Sequence, residues 1–306
     1  MPEVERLAEV DAELTRLRPG VYVPVSPGAV EARARRELVL ARVVAAWSSL
    51  DSDVWFSHET AALLHGMWTY RLADRVHLTQ LYPPQVRRED DSWDHRFLMS
   101  RHWTRLPERD RDEAGGVPVT SLERTAVDCA RTLSFESALV VMDCALRHGA
   151  DRSLVRRIID ESRGKRGVVQ ARRVLDIADT GAESPGETLT RYGLIEAGLP
   201  RPTTQIPVLT SLGPRWVDLG WPAARVGIEF DGEVKYTELA DGDPDEVRRR
   251  ERARQRAIEE EGWRIVRSGW PDIDHPHAFH VRVWRALAGR GKLVLSSDAG
   301  AAARRA

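Results

Sequence analysis

The segment from Trp216 to Tyr236, WVDLGWPAARVGIEFDGEVKY, carries three acids, Asp218, Glu229 and Asp231, on two short apolar strands. Val217, Leu219 and Trp221 alternate with Asp218 and Gly220, while Val226 and Ile228 lead into Glu229, so the turn at Pro222 to Arg225 predicts a hairpin. Pairing Trp221 with Val226 carries the register on to Asp218 opposite Glu229. Directly opposed side chains lie roughly 5 Å apart at their β-carbons, and like charges there are destabilising. Asp231, two residues beyond Glu229, shares its face. Three carboxylates on one face call for a compensating charge, and a divalent cation would supply it. Lys235 follows closely. Of 46 basic residues only Lys165, Lys235 and Lys292 are lysines, and a lysine is a compact charge whose proton affinity is readily tuned. Asp218, Glu229 and Lys235 are therefore the residues of this segment suited to catalysis by type and position.

The elements that must position these groups read, over 181–291, as α-β-β-β-α-β-α. Ser184, Pro185 and Glu187 open a helix as cap, first-turn proline and capping-box partner, and Gly198 closes it. Three strands follow at 203–210, 215–221 and 225–232. A charged helix over 243–261, a strand at 263–270 and a helix at 276–288 complete the order. Projected at about 100° per residue, Val247, Arg250, Glu251, Arg254 and Ile258 share one face of the charged helix. Buried arginines are rare unless paired, so Arg250 and Arg254 are expected to reach the acids or a bound phosphate. Arg249, Arg252 and Arg256 lie opposite, placed to touch a nucleic-acid backbone. The plainer alternative is a solvated helix with i,i+4 charge pairs.

Upstream, Leu7, Val10, Leu14 and Leu17 form a helical stripe, and RLRPGVYVPV (16–25) reads as a turn into a strand. Helices are predicted at 37–50, from Ser57 to Leu64, and from 117 to Gly149 with a capping box at Thr120 and Glu123; another spans 154–159. Residues 75–80 alternate as a strand, and 83–115 reads as loop with short strands. The resulting division is 1–115, 116–180, 181–291, and a disordered tail at 292–306, in an α/β (α+β) fold.

The chain has 306 residues, 42% hydrophobic, with net charge −1, so nucleic acid would have to be met by local patches rather than a global field. The apolar run 38–47 is broken by Arg42, which excludes a membrane span, and the first 20 residues lack a signal core. A cytoplasmic protein is expected. Cys129 and Cys144 read as buried, reduced core residues. His58 and His65, seven apart, read as packing or backbone-bonding residues. Asp274, His275, His277 and His280 lack a structural zinc spacing. Asp241, Asp243 and Asp245 mimic a calcium loop until Arg252 falls where a glutamate is required.

The ordered motifs ESPGET, GLPRP, VDLGWP, GIEFDG, KY, RRRERARQRAIEEEGWRIVR and GW resemble the PD-(D/E)XK nuclease superfamily, restriction-endonuclease-like in fold, in the branch related to the very-short-patch-repair endonuclease. The resemblance implies a Mg²⁺ (or Mn²⁺) site at Glu187, Asp218 and Glu229, with Asp231 nearby, on a DNA-directed endonuclease. Asp231 stands where the superfamily has its lysine, and Lys235 is the displaced substitute. The segments RLRPGVYV, SHETAALLHGMW, VHLT, VPVTSLERTAVDCAR and DCALRHG are similar to AbiEi-type antitoxin regulators. In that pattern GVYV is the wing of a winged helix-turn-helix with its reading helices truncated. The second resemblance implies the alternative: a non-catalytic transcriptional regulator that binds DNA or a toxin partner through a decayed nuclease fold.

Overall fold

The computed structural model describes residues 14–18, 21–24, 31–48, 50, 53–83, 99–232 and 244–290. It divides into two compact units, Met1–Ala178 and Asp179–Ala306. Lys235, the calcium-like aspartates at 241 and 243, and the 292–306 tail lie outside the described residues. No helix among the described residues is long and apolar enough to cross a membrane.

The first unit opens with a hairpin of β1 (Leu14–Arg18) and β2 (Val21–Pro24). Leu14 and Leu17 thus belong to a strand, where the sequence predicts a helical stripe. In the sequence the Pro-Gly pair at 19–20, followed by Val-Tyr-Val, favours strand pairing over helix propensity. A helix, α1 (Glu31–Trp47), precedes β3 (Val54–Phe56), α2 (His58–Leu64), β4 (Val76–Gln80), β5 (Met99–Trp103), β6 (Arg111–Ala114) and β7 (Val117–Thr120). The five strands β3 to β7 form one mixed sheet in the order β5-β4-β3-β7-β6. Because β6 and β7 pair antiparallel through Ala114 and Val117, the sheet crosses the 115/116 division expected from sequence.

On one face of that sheet Val54, Phe56, Val76, Leu78, Met99 and Val119 pack with Val43 and Ala46 of α1. The intervening positions of β4 and β5, His77, Thr79, Ser100 and His102, therefore point to the other face. Four helices complete the unit: α3 (Leu122–Thr132), α4 (Phe135–Arg147), α5 (Arg152–Glu161) and α6 (Val168–Ile177), with α3 packed against the other three and α2. VPVT at 117–120 is strand, not the start of the helix, since its β-branched residues complete the sheet. The cap consequently moves one residue on: Ser121 Oγ accepts from the Arg124 amide at 3.2 Å, while Thr120 Oγ1 bonds Thr125 Oγ1 at 2.7 Å and Glu123 accepts from the Asp151 amide. Cys129 and Cys144 are buried free thiols.

The second unit runs α7 (Pro185–Glu196), β8 (Thr203–Thr210), β9 (Gly213–Trp221), β10 (Val226–Asp231), α8 (Pro244–Glu260), β11 (Arg264–Gly269), α9 (Trp270–Asp274) and α10 (Pro276–Ala288). The short α9 apart, this is the order read from the sequence. The sheet is β11-β10-β9-β8, with β10 and β11 parallel and the other pairs antiparallel. Leu219, Val226, Ile228 and Val266 pack with Leu194 of α7 and with Phe279 and Val283 of α10. On the other side Ile206, Val208 and Val217 pack with Ile258 of α8. Gly186 lets α7 approach β10 closely, since a β-carbon there would meet the Phe230 ring at 2.0 Å.

Candidate functional site

The β9–β10 register follows Trp221–Val226, Gly220–Gly227 and Leu219–Ile228 as expected, and ends there. Beyond it Asp218 Oδ2 accepts from the Phe230 amide at 2.9 Å. The alternation also breaks at Asp218, because Val217 faces α8 whereas Leu219 faces α7 and α10. On the outer strand Gln205 takes the left-handed φ of 46°, and its cross-strand pair to Asp218 is skipped. Such strain in a non-glycine residue marks a special site. Gln205 Nε2 approaches Glu187 Oε2 at 3.4 Å, a contact the sequence did not announce.

Glu187, on α7, is held as a cap. Its carboxylate accepts from the Glu183 amide at 2.8 Å and from Ser184 Oγ at 2.9 Å, and Ser184 Oγ accepts from the Glu187 amide at 3.2 Å. Burial, and then the charge of Asp218, push its carboxyl up to about 7. A carboxyl whose proton is held more tightly folded than unfolded contributes fully below the unfolded value near 4.5 and loses that contribution as the pH rises towards about 7. Glu187→Gln, which keeps one of the two acceptor oxygens, is expected to change stability little near pH ~5 and to stabilise the second unit by roughly 1–3 kcal/mol near pH ~8. Urea denaturation at the two pH values measures this, and equal effects at both would contradict it.

Glu229 is 3% exposed and faces α8. Arg254 Nη2 stands 3.1 Å from Oε1 and Arg267 Nη2 3.4 Å from Oε2. Neither carboxylate oxygen gains a hydrogen bond of good geometry, so the pairing is chiefly coulombic. Burial pushes the Glu229 carboxyl up against the pull of the two guanidinium groups. Arg267 also grips both oxygens of Asp231, at 2.7 and 3.0 Å, and reaches Glu251 and Gln255. Arg254 spans to Glu251 at 3.0 Å and to the Trp216 carbonyl at 2.9 Å.

Mg²⁺ prefers several open carboxylate oxygens. In this arrangement Glu187 caps α7, Asp218 Oδ2 holds a backbone amide, and Glu229 and Asp231 are paired with arginines. Among the described residues, the one set of three candidate ligand groups whose ligand atoms all lie within 4.8 Å of each other is elsewhere. Asp218 is nonetheless coupled electrostatically to both Glu187 and Glu229. Of the helix arginines, Arg254 reaches the acids as expected. Arg250, like Arg249, Arg252 and Arg256 of α8, is exposed.

In the first unit the set within 4.8 Å is His58, His77 and His102. The rings of His58 and His102 stack at 3.8 Å, and His77 Nδ1 lies 2.9 Å from His102 Nε2. Burial lowers all three imidazoles, His77 to about 4. His65 makes the backbone bond expected of it, to the Thr120 carbonyl at 2.8 Å. A cleft of about 370 Å³ in the same unit is lined by Arg105, Arg109, Arg124 and Lys165 against Asp110 and Glu161. Arg124, 5% exposed, pairs with Asp128 at 2.7 Å and Asp110 at 3.2 Å.

Two proteins of Mycobacterium tuberculosis, "Uncharacterized protein MT2308" of strain CDC 1551 / Oshkosh and "Uncharacterized protein Rv2248" of strain ATCC 25618 / H37Rv, are each 38% identical to this chain over 144 residues. The match covers 46% of this chain and 51% of theirs, so it spans about half the length of these relatives. No solved structure matches the chain significantly. Residues 54–177 match the AbiEi antitoxin C-terminal domain family, and those bounds run from the first residue of β3 to the last residue of α6.

Proposed function

We propose that the chain is an antitoxin-type regulator that neutralises a protein toxin through its first unit and does not cleave DNA. The carrying observation is the family match over 54–177, which takes in the whole mixed sheet and helices α2 to α6. The arginine compensation of Glu229 and Asp231 supports the non-catalytic part of the reading. The reading is tested by co-expressing the untagged full chain with a tagged cognate toxin, sought among the products encoded beside it. Co-elution at constant stoichiometry through size exclusion is expected. Separate elution of two folded proteins at micromolar concentration would overturn the reading.

A second reading, a divalent-metal-dependent endonuclease acting on DNA through Asp218, Glu229 and Lys235, is favoured by one observation: Asp218 couples to both Glu187 and Glu229 within an α-β-β-β-α-β body. A plasmid-nicking assay with Mg²⁺ or Mn²⁺ separates the two readings. Intact supercoiled plasmid is expected; nicking abolished by Asp218→Ala would favour the second.

A further inference from the structure

The three imidazoles of the first unit come from three separate elements. His58 is the first residue of α2, His77 lies on β4 and His102 on β5. Each strand position follows from register. β4 and β5 run parallel with Thr79 beside His102, so His77, Thr79 and His102 share the sheet face turned away from the Val76–Leu78 core.

We infer that His58, His77 and His102 form a zinc site. Zn²⁺ takes imidazole nitrogens at about 2.0–2.1 Å in a tetrahedron, which sets its ligand nitrogens about 3.3 Å apart. The ligand atoms here already lie within 4.8 Å of one another; the closest pair, at 2.9 Å, would open by a few tenths of an ångström, and the His58 ring, stacked on His102 at 3.8 Å, would turn to aim a nitrogen at the ion. His58 Nδ1 is hydrogen-bonded to Ser57 Oγ at 2.9 Å. A partner on the second ring nitrogen is the usual outer support of a ligating histidine, and it leaves Nε2 for the ion. His58 also holds a left-handed φ of 56°, an uncommon conformation for a non-glycine residue.

A second observation points to the same place. Thr79 Oγ1 is fully buried without a hydrogen-bond partner, although buried hydroxyls are normally satisfied. It sits on the imidazole face beside His102, where a water on the fourth position of the ion would supply the missing partner. His77 and His102 are only partly buried, which leaves an entry path. The neighbouring Arg124 and Arg131 carry positive charge, but both pair with Asp128. The same ion would tie the start of α2 to two strands of the sheet.

Equilibrium dialysis of the untagged full chain against zinc chloride, with bound zinc counted by mass spectrometry, tests the site. One zinc per chain is expected, with binding weakened more than about 100-fold in the doubly substituted His77→Gln/His102→Gln chain and unchanged in His275→Gln/His277→Gln. Because the first variant removes two side chains packed inside the unit, Co²⁺ added to the unmodified chain supplies a second readout: the visible ligand-field band of tetrahedral cobalt should appear and be quenched by equimolar zinc. Absence of both zinc uptake and the cobalt band would overturn the inference, as would zinc uptake that follows His275 and His277 instead. The inference does not depend on toxin binding.

Discussion

Arg124→Met should remove about 3–5 kcal/mol from the stability of the first unit, the usual cost of leaving a buried charge without its partner. The side chain is almost enclosed. It donates from Nε to Asp128 at 2.7 Å and from Nη1 to Asp110 at 3.2 Å, and reaches the Arg105 carbonyl at 3.3 Å. Methionine fills similar volume, so the loss reflects charge rather than a cavity. Among the described residues, Asp128 would keep Arg131, at 3.6 Å, and Asp110 would keep Arg109, at 3.2 Å, as ion-pair partners. Hydrogen exchange of the α3 amides under increasing urea reads this unit separately from the other. A loss below about 1 kcal/mol would place Arg124 among replaceable surface charges.

Arg267→Met should destabilise the second unit by about 2–3 kcal/mol, less than a fully buried pair because the guanidinium is partly exposed. Its sign carries information about the acids. Arg267 balances Glu229, Asp231 and Glu251 together, so its removal leaves Arg254 as the one remaining cation paired with Glu229 among the described residues. Added Mg²⁺ should then restore part of the lost stability, as a substitute for the missing charge. Urea denaturation with and without Mg²⁺ measures both effects. A stable Arg267→Met chain would show that the acids are compensated by some other group.

What was legible from sequence follows from how local each signal is. The Trp221–Val226 register, the Ser184 cap and the order of the second unit rest on neighbouring residues and short turns, and the structure has them. Arg254 was found by helical projection, within one element. Arg267 was missed because it meets Glu229 through the parallel β10–β11 pairing, across a crossover that includes α8, and no period of the chain encodes a parallel register. The histidine cluster is distributed over α2, β4 and β5 in the same way; only the alternation of VHLTQ hinted that His77 leaves the apolar core. Pairing Asp218 with Glu229 assumed an unbroken strand, and the break beside the strained Gln205 defeats it. At 117–120 helical spacing and β-branching competed, and sheet completion by β7 decided.

Neutralisation by the first unit without DNA cleavage is read out by the growth of a host expressing the cognate toxin together with this chain. The unmodified chain should restore growth, Asp218→Ala/Glu229→Ala should restore it equally while remaining folded, and Arg124→Met should restore it poorly. Rescue lost in the Asp218→Ala/Glu229→Ala chain and kept in Arg124→Met would contradict the account and place the activity on the acids of the second unit.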